Sequence, residues 1–194
     1  MLEKLDRKFR IREKLLEPLA PRVPPNLVSS FGFLTGPFAG LFLWRKAFLL
    51  ALAFIFLNAL SDLFDGIVAR KYGRITKRGS LIDDLADRVS DVSISLGLGG
   101  AAGSPLLGAI CAILLVFNSY LSLQGLALFG KKAKFGFFSR ANRTAVTFLA
   151  LAISLPFGFN PAGPLLYLTI AAAVLTIFQR ATFLLMQREG RSSK

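Results

Sequence analysis

The chain has 194 residues, of which 54% are hydrophobic, with 24 Lys+Arg against 11 Asp+Glu, a formal net charge of +13 and no histidine. A mean hydropathy of +0.57 excludes an ordinary soluble domain, and apolar runs approaching the ~20 residues that cross a bilayer point to an all-α polytopic membrane protein. The basic residues collect in polar intervals between greasy segments, with no patch of interleaved aromatics, which argues against nucleic acid as a partner. Without histidine, any acid–base or metal chemistry must rest on carboxylates.

In chain order, LEKLDRKFRIREKLLEPL (2–19) alternates charge with Leu, Phe and Ile at helical spacing and predicts an amphipathic helix lying in the membrane interface. It lacks the uninterrupted apolar core and small-residue cleavage site of a secretory signal. Pro21, Pro24 and Pro25 end it, and Pro25 suits the start of a first span over 25–44. A second span is predicted over about 47–70. A third helix follows the loop KYGRITKR; its first half holds aspartates and its second, VSISLGLGG, is apolar and glycine-rich. A hydropathy scan undercounts such a span, because its polar half must be buried against protein. Further spans are predicted over about 106–129, 141–157 and 165–186. Cys111, alone in the run GAICAILLVF, reads as a small packing residue.

The expected organisation is an N-terminal juxtamembrane helix (1–24), six transmembrane helices (25–187) and a basic tail (188–194). Six spans put both termini on one side. That side would carry 20 Lys and Arg against only Arg45 and Lys46 on the other, so both termini and the aspartate-bearing ends are predicted to be cytoplasmic, in the plasma membrane.

Six of the eleven acidic residues fall within SDLFDGIVARKYGRITKRGSLIDDLADRVSD (61–91). On a helix, Asp62, Asp65, Gly66, Ala69 and Arg70 lie within about 140° of one another. On the next, Gly79, Asp83, Asp87 and Asp91 recur every four residues along one stripe, with Asp84 about 100° round from Asp83 and outward-facing or structural. Two such helices joined by a short loop bring four carboxylates together. Packed carboxylates repel and need a counter-charge. Oxygen-only ligands suit Mg²⁺ or Mn²⁺, and four suit a two-metal centre that clamps phosphate oxygens in displacement at phosphorus. Gly66, Ala69 and Gly79 leave room for a nucleotide to approach the backbone. The plainer alternative, solvated or capping aspartates near a span end, explains one pair more easily than six residues in register. Asp91 lies one turn deeper than Asp87, within reach of a ligand, and is assigned no role by the sequence.

The pattern Asp62-x2-Asp65-Gly66-x2-Ala69-Arg70-x8-Gly79-x3-Asp83-x3-Asp87 resembles the CDP-alcohol phosphatidyltransferase signature at every fixed position. The resemblance implies six transmembrane helices around a cytoplasm-facing polar cavity, usually in a homodimer. It implies that Asp62, Asp65, Asp83 and Asp87 hold two divalent cations, and that Asp65, Gly66, Ala69, Arg70, Gly79 and Asp83 line the CDP pocket. Asp87 would be the general base that activates an acceptor hydroxyl for attack on the β-phosphorus of a CDP-linked lipid alcohol, releasing CMP. Asn26, in the PN-x-x-S opening of the first span, also resembles a recurrent family feature.

GKKAKFGFFSRANRTAV and TIFQRAT resemble the Glu-Arg-x-Glu-Arg and Gln-Arg elements of family members that take phosphorylated acceptors, with both glutamates replaced, by Ser139 and Asn142. Lys134, Arg143 and Arg180 are the expected partners of an acceptor phosphate dianion. Arg180 lies inside a span, where arginine is costly unless it faces a cavity or a partner. Inositol 1-phosphate is the favoured acceptor, in phosphatidyl- or archaetidylinositol phosphate synthesis, and glycerol 3-phosphate the alternative. Two other classes were weighed. A membrane prenyltransferase motif begins well with Asn58-x3-Asp62 and then meets Gly66. A cation channel or carrier leaves Gly66, Ala69 and Arg70 without a task.

Overall fold

The structure, a computed structural model, describes residues 25–71, 77–130 and 139–186, with side chains described for 33–61, 79, 81–130 and 139–186. The N-terminal segment, the basic tail and the loop carrying Lys134 lie outside the described residues. The described residues form six helices: α1 (Pro25–Trp44), α2 (Phe48–Lys71), α3 (Lys77–Ala101), α4 (Pro105–Phe129), α5 (Arg140–Phe157) and α6 (Ala162–Met186). They stand where six were expected. At 1.5 Å per residue, the 24 residues of α2 and the 25 of α4 are long enough for a ~30 Å hydrocarbon layer.

The ends of these helices follow from local chemistry. α1 closes in a Schellman motif, with Ala47 N–H donating to the Phe42 carbonyl (2.9 Å) and Lys46 N–H to that of Leu43 (2.8 Å). Lys46 takes the left-handed conformation this requires (φ 58°). α3 ends the same way, on Gly103 (φ 72°), with Ser104 N–H donating to Gly99 (2.8 Å) and Gly103 N–H to Gly100 (3.1 Å). Pro105 then opens α4, where a missing N–H costs nothing.

α1 packs on α2 and α3, α3 on α4 and α6, α4 on α6, and α5 on α2 with a thin contact to α6. The six helices thus form a ring in the order α2, α1, α3, α4, α6, α5. Glycines bring α1 and α3 close. A Cβ on Gly36 would overlap Ser90, one on Gly40 or Gly97 would overlap the facing backbone, and one on Gly100 would overlap the Trp44 ring. Gly99 and Gly108 do the same between α3 and α4. Small residues at the contact let backbones approach where lipid supplies no hydrophobic driving force.

The buried apolar core runs through Leu43, Ile55, Leu98, Leu115, Leu151 and Leu166, with Cys111 fully buried among them. Outside the ring the pattern inverts: Leu106, Ile113 and Leu128 on α4 and Tyr167, Phe178 and Leu185 on α6 are exposed. Of the described helices, α4 and α6 are each long and apolar enough to cross a membrane, and 33–44 and 48–61 are shorter apolar stretches. The polar first half of α3 takes it below that threshold, as its sequence anticipated.

Candidate active site

The site is built on the polar half of α3. Burial deepens along its stripe: Asp83 is exposed, Asp87 part-buried and Asp91 buried. Each step of four residues moves about 6 Å along the axis while keeping the same face, so the carboxylates descend from the helix's start into the ring. Gly79 occupies the first turn of α3. Asp62, Asp65, Gly66, Ala69 and Arg70 all fall in the last ten residues of α2, and their side chains lie outside the described residues. Among the described residues, no three acidic or cysteine side chains converge.

Three arginines, two of them on α5, meet the inner two carboxylates. Arg140 pairs with Asp87 Oδ1, and Arg88 Nη2 lies 3.7 Å from Asp87 Oδ2. Arg143 Nη2 donates to Asp91 Oδ1 at 2.7 Å. Arg88 Nη1 reaches Asp91 Oδ2 at 3.4 Å and also Ser119 on α4. Arg140 Nε lies 4.0 Å from Asp91 Oδ1. One buried carboxylate therefore faces three guanidiniums. A charge at this depth persists only when paired in this way.

Asn58 adds a neutral clasp. Buried in α2, it donates from Nδ2 to Thr35 Oγ1 on α1 (3.0 Å) and Ser90 Oγ on α3 (3.2 Å), and its Oδ1 accepts from Arg140 Nη2 (3.3 Å). It thus ties α1, α2, α3 and α5 together one turn before Asp62. Across the ring, Arg180 on α6 donates from Nη1 to the Asn118 carbonyl on α4 (2.7 Å), within electrostatic range of Arg143 and Arg88. Below the ion pairs lies a cavity of about 30 Å³ lined by Asp91, Ser95, Arg143, Thr144, Thr147 and Thr169 among others. Its lining is mixed, with Ile55, Ile94, Leu98 and Leu115 beside the polar groups, and it is large enough to hold water.

Several of these residues escaped the sequence reading. Arg140 stands in the stretch GKKAKFGFFSRANRTAV, to which the sequence reading assigns only Lys134 and Arg143. Arg88 was not read at all, and Asn58 was noticed only as the start of a rival motif. For Asn58 the signal was a lone amide inside the apolar run FIFLNAL, which is costly without partners. Ser139, standing where the resemblance led to a glutamate, is the N-cap of α5, and its hydroxyl accepts from Asn142 N–H at 3.3 Å. Asp84 is part-buried, and its carbonyl accepts from Arg88 Nε at 3.4 Å.

Comparison with known proteins matches residues 22–180 to the CDP-alcohol phosphatidyltransferase family. The chain is 32% identical to phosphatidylinositol phosphate synthase of Cutibacterium acnes over 86% of its length and 90% of the relative's. It is 34% identical to archaetidylinositol phosphate synthase of Aeropyrum pernix over 69% of each. Its fold is similar to that of Mycobacterium tuberculosis phosphatidylinositol phosphate synthase crystallised with CDP-DAG, with a TM-score of 0.78 and 22% identity, covering 95% of this chain and 99% of that one. A second structure of that protein, in complex with manganese and citrate, gives a TM-score of 0.75 at 23% identity, covering 95% of this chain and 92% of that one. The chain belongs to the CDP-alcohol phosphatidyltransferase family, whose enzymes transfer the phosphoalcohol group of a CDP-linked alcohol to an acceptor hydroxyl and release CMP.

Proposed function

We propose that the enzyme joins a CDP-linked lipid alcohol to inositol 1-phosphate, forming an inositol phosphate lipid and CMP. The observation that carries the acceptor assignment is the guanidinium cluster around Asp91, set one turn deeper than Asp87. Arg143 and Arg88 share this carboxylate, and Arg143 engages only Nη2 among the described residues, which leaves an edge for a phosphate dianion. Lys134, Arg143 and Arg180 form the acceptor-phosphate subsite in this reading. The inositol phosphate synthases among the relatives support it.

As a family member the enzyme uses divalent cations, Mg²⁺ or Mn²⁺. The residues present fit such ions. The chain has no histidine, Cys111 is buried in the apolar core, and Asp83 and Asp87 offer hard oxygen donors one turn apart on one face of α3. Asp62, Asp65, Asp83 and Asp87 would hold two cations. Bound there, the cations would offset the charge of the donor's pyrophosphate. Asp65, Gly66, Ala69, Arg70, Gly79 and Asp83 would receive the CDP moiety, the small residues giving the nucleotide access to the backbone.

Asp87 acts as general base, taking the proton of the acceptor hydroxyl. The acceptor oxygen bonds to the β-phosphorus while the bond from that phosphorus to the bridging oxygen breaks, and CMP leaves with the electron pair. Arg140, held by Asn58, orients the Asp87 carboxylate from the side. Arg143 and Arg180 fix the acceptor phosphate so that its hydroxyl meets Asp87, and holding the reactants together in this way removes much of the entropic barrier.

All six helices span the plasma membrane in this reading, as 25–187, with residues 2–19 as an interfacial helix, both termini and the active site cytoplasmic, and a homodimeric assembly. The 20-to-2 partition of Lys and Arg supports the orientation. Cysteine labelling of the Arg45–Lys46 turn in intact cells and light scattering in detergent test these two points.

The deciding experiment is CMP release by purified protein in detergent with Mg²⁺ or Mn²⁺ and CDP-diacylglycerol, offering inositol 1-phosphate, glycerol 3-phosphate, free inositol or serine. Release that requires inositol 1-phosphate supports the proposal. Release with glycerol 3-phosphate favours the alternative synthase. Release only with unphosphorylated acceptors removes the phosphate subsite.

A further inference from the structure

We propose that Asp91 is a positioning residue that sets the direction of Arg143 and thereby makes the enzyme selective for a phosphorylated acceptor; this rests on the acceptor reading above. Asp91 is buried, and both its oxygens are engaged, Oδ1 by Arg143 at 2.7 Å and Oδ2 by Arg88 at 3.4 Å. It lies two turns from Asp83 and is buried where Asp83 is exposed and Asp87 part-buried, which sets it apart from the carboxylates assigned to cations.

The ring geometry gives it this task. Among the described residues α3 and α5 do not pack closely on one another, so the long α5 arginine side chains make the contact to α3. Arg143 also borders the cavity lined by Ser95, Thr144, Thr147 and Thr169 together with Ile55, Ile94, Leu98 and Leu115, a space toward which an unanchored guanidinium can turn. Asp91 holds one Nη against that alternative. Held at Nη2, the guanidinium turns its remaining N–H groups away from Asp91, and these can form two parallel bonds to one phosphate.

Two effects of removing the Asp91 charge oppose each other. The subsite becomes more positive, which by itself tightens a dianion. Arg143 loses its direction, which weakens the same interaction. The proposal states that direction wins, so the sign of the change is diagnostic.

The test is steady-state CMP release by the full chain in detergent, with inositol 1-phosphate and CDP-diacylglycerol varied separately. Asp91→Asn is expected to raise the acceptor KM about tenfold while kcat and the CDP-diacylglycerol KM move less than threefold. In an Arg143→Ala background the same change is expected to alter the acceptor KM less than twofold, because its target is gone. Asp91→Glu, whose extra methylene can enter the cavity, is expected to stay within threefold of wild type. An acceptor KM that falls or holds in Asp91→Asn, or an undiminished loss in the Arg143→Ala background, overturns the proposal. If Asp91→Asn does not purify as a monodisperse protein, Asp91→Glu decides: equal losses in kcat and both KM values mean a structural role only. Wild-type turnover confined to unphosphorylated acceptors overturns the acceptor reading itself, whereas an unselective Asp91→Asn in an enzyme that does use inositol 1-phosphate overturns only the role of Asp91.

Discussion

The two halves of α3 solve the problem of helix association in opposite ways. From Gly97 to Gly100 the helix meets α1 and α4 backbone to backbone, with no room for a Cβ at Gly97, Gly99 or Gly100. From Asp83 to Asp91 it presents carboxylates, and α5 answers across an interval with Arg140 and Arg143. Close packing leaves the first half no room for added side chains. Long side chains leave the second half room for a substrate and for rearrangement. Because one continuous helix carries both, the clamped half fixes the axis from which the aspartates project. A site held only by its own ion pairs would shift whenever a charged ligand entered.

Substitutions confined to one half should separate the two tasks. Asp87→Asn, in the ionic half, is expected to lower CMP release at least about a thousandfold, the scale of a lost general base. Its unfolding midpoint in detergent should stay near that of wild type, since Asp87 is only part-buried. A midpoint collapse would mean that the ion pairs, not the glycines, hold α3. Gly97→Ala, in the packed half, should do the reverse. Its Cβ would overlap the Gly40 backbone, an overpacking cost of about 1–3 kcal/mol, read as a lowered midpoint with both KM values kept in the protein that survives. Asn58→Ala falls on the seam. It leaves Thr35, Ser90 and Arg140 without the amide that joins them, at a cost of about 1–3 kcal/mol, and should lower both stability and turnover. The smallest effect is expected at Lys46, outside both halves. Lys46→Gly relieves a left-handed conformation (φ 58°) in the cap that closes α1, and should raise stability by about 0.5–1 kcal/mol without changing kinetics.

Much of the fold was legible before any coordinates. Pro25 announced a helix start, and the apolar runs marked their own lengths. The glycine-rich second half of α3 was read as apolar, though not as the surface that clamps α1. The acidic stripe from Asp83 to Asp91 was legible as a single face because i, i+4 spacing is a property of one helix. The partners of that stripe were not legible. Arg140 lies 53 residues from Asp87 and Arg143 lies 52 from Asp91, and either could have belonged to the basic loop as a topology signal. Arg88, between two aspartates on the same helix, carried no reading from the sequence, yet it turns onto both and onto Ser119.

What the sequence determined by itself is therefore local or additive: an all-α, greasy chain, the helix ends, the sidedness of its charge, and a motif of eight residues at fixed spacing on two consecutive helices. Each of these needs only neighbours along the chain or a sum over it. What the tertiary structure alone decided is which guanidinium meets which carboxylate, that Asn58 joins four helices, and that a small cavity lies beside Arg143. Those depend on the order of helices round the ring, which places α5 across from α3 without packing closely on it. That order comes from glycine contacts and core shape summed over the whole bundle, and no spacing within one helix encodes it.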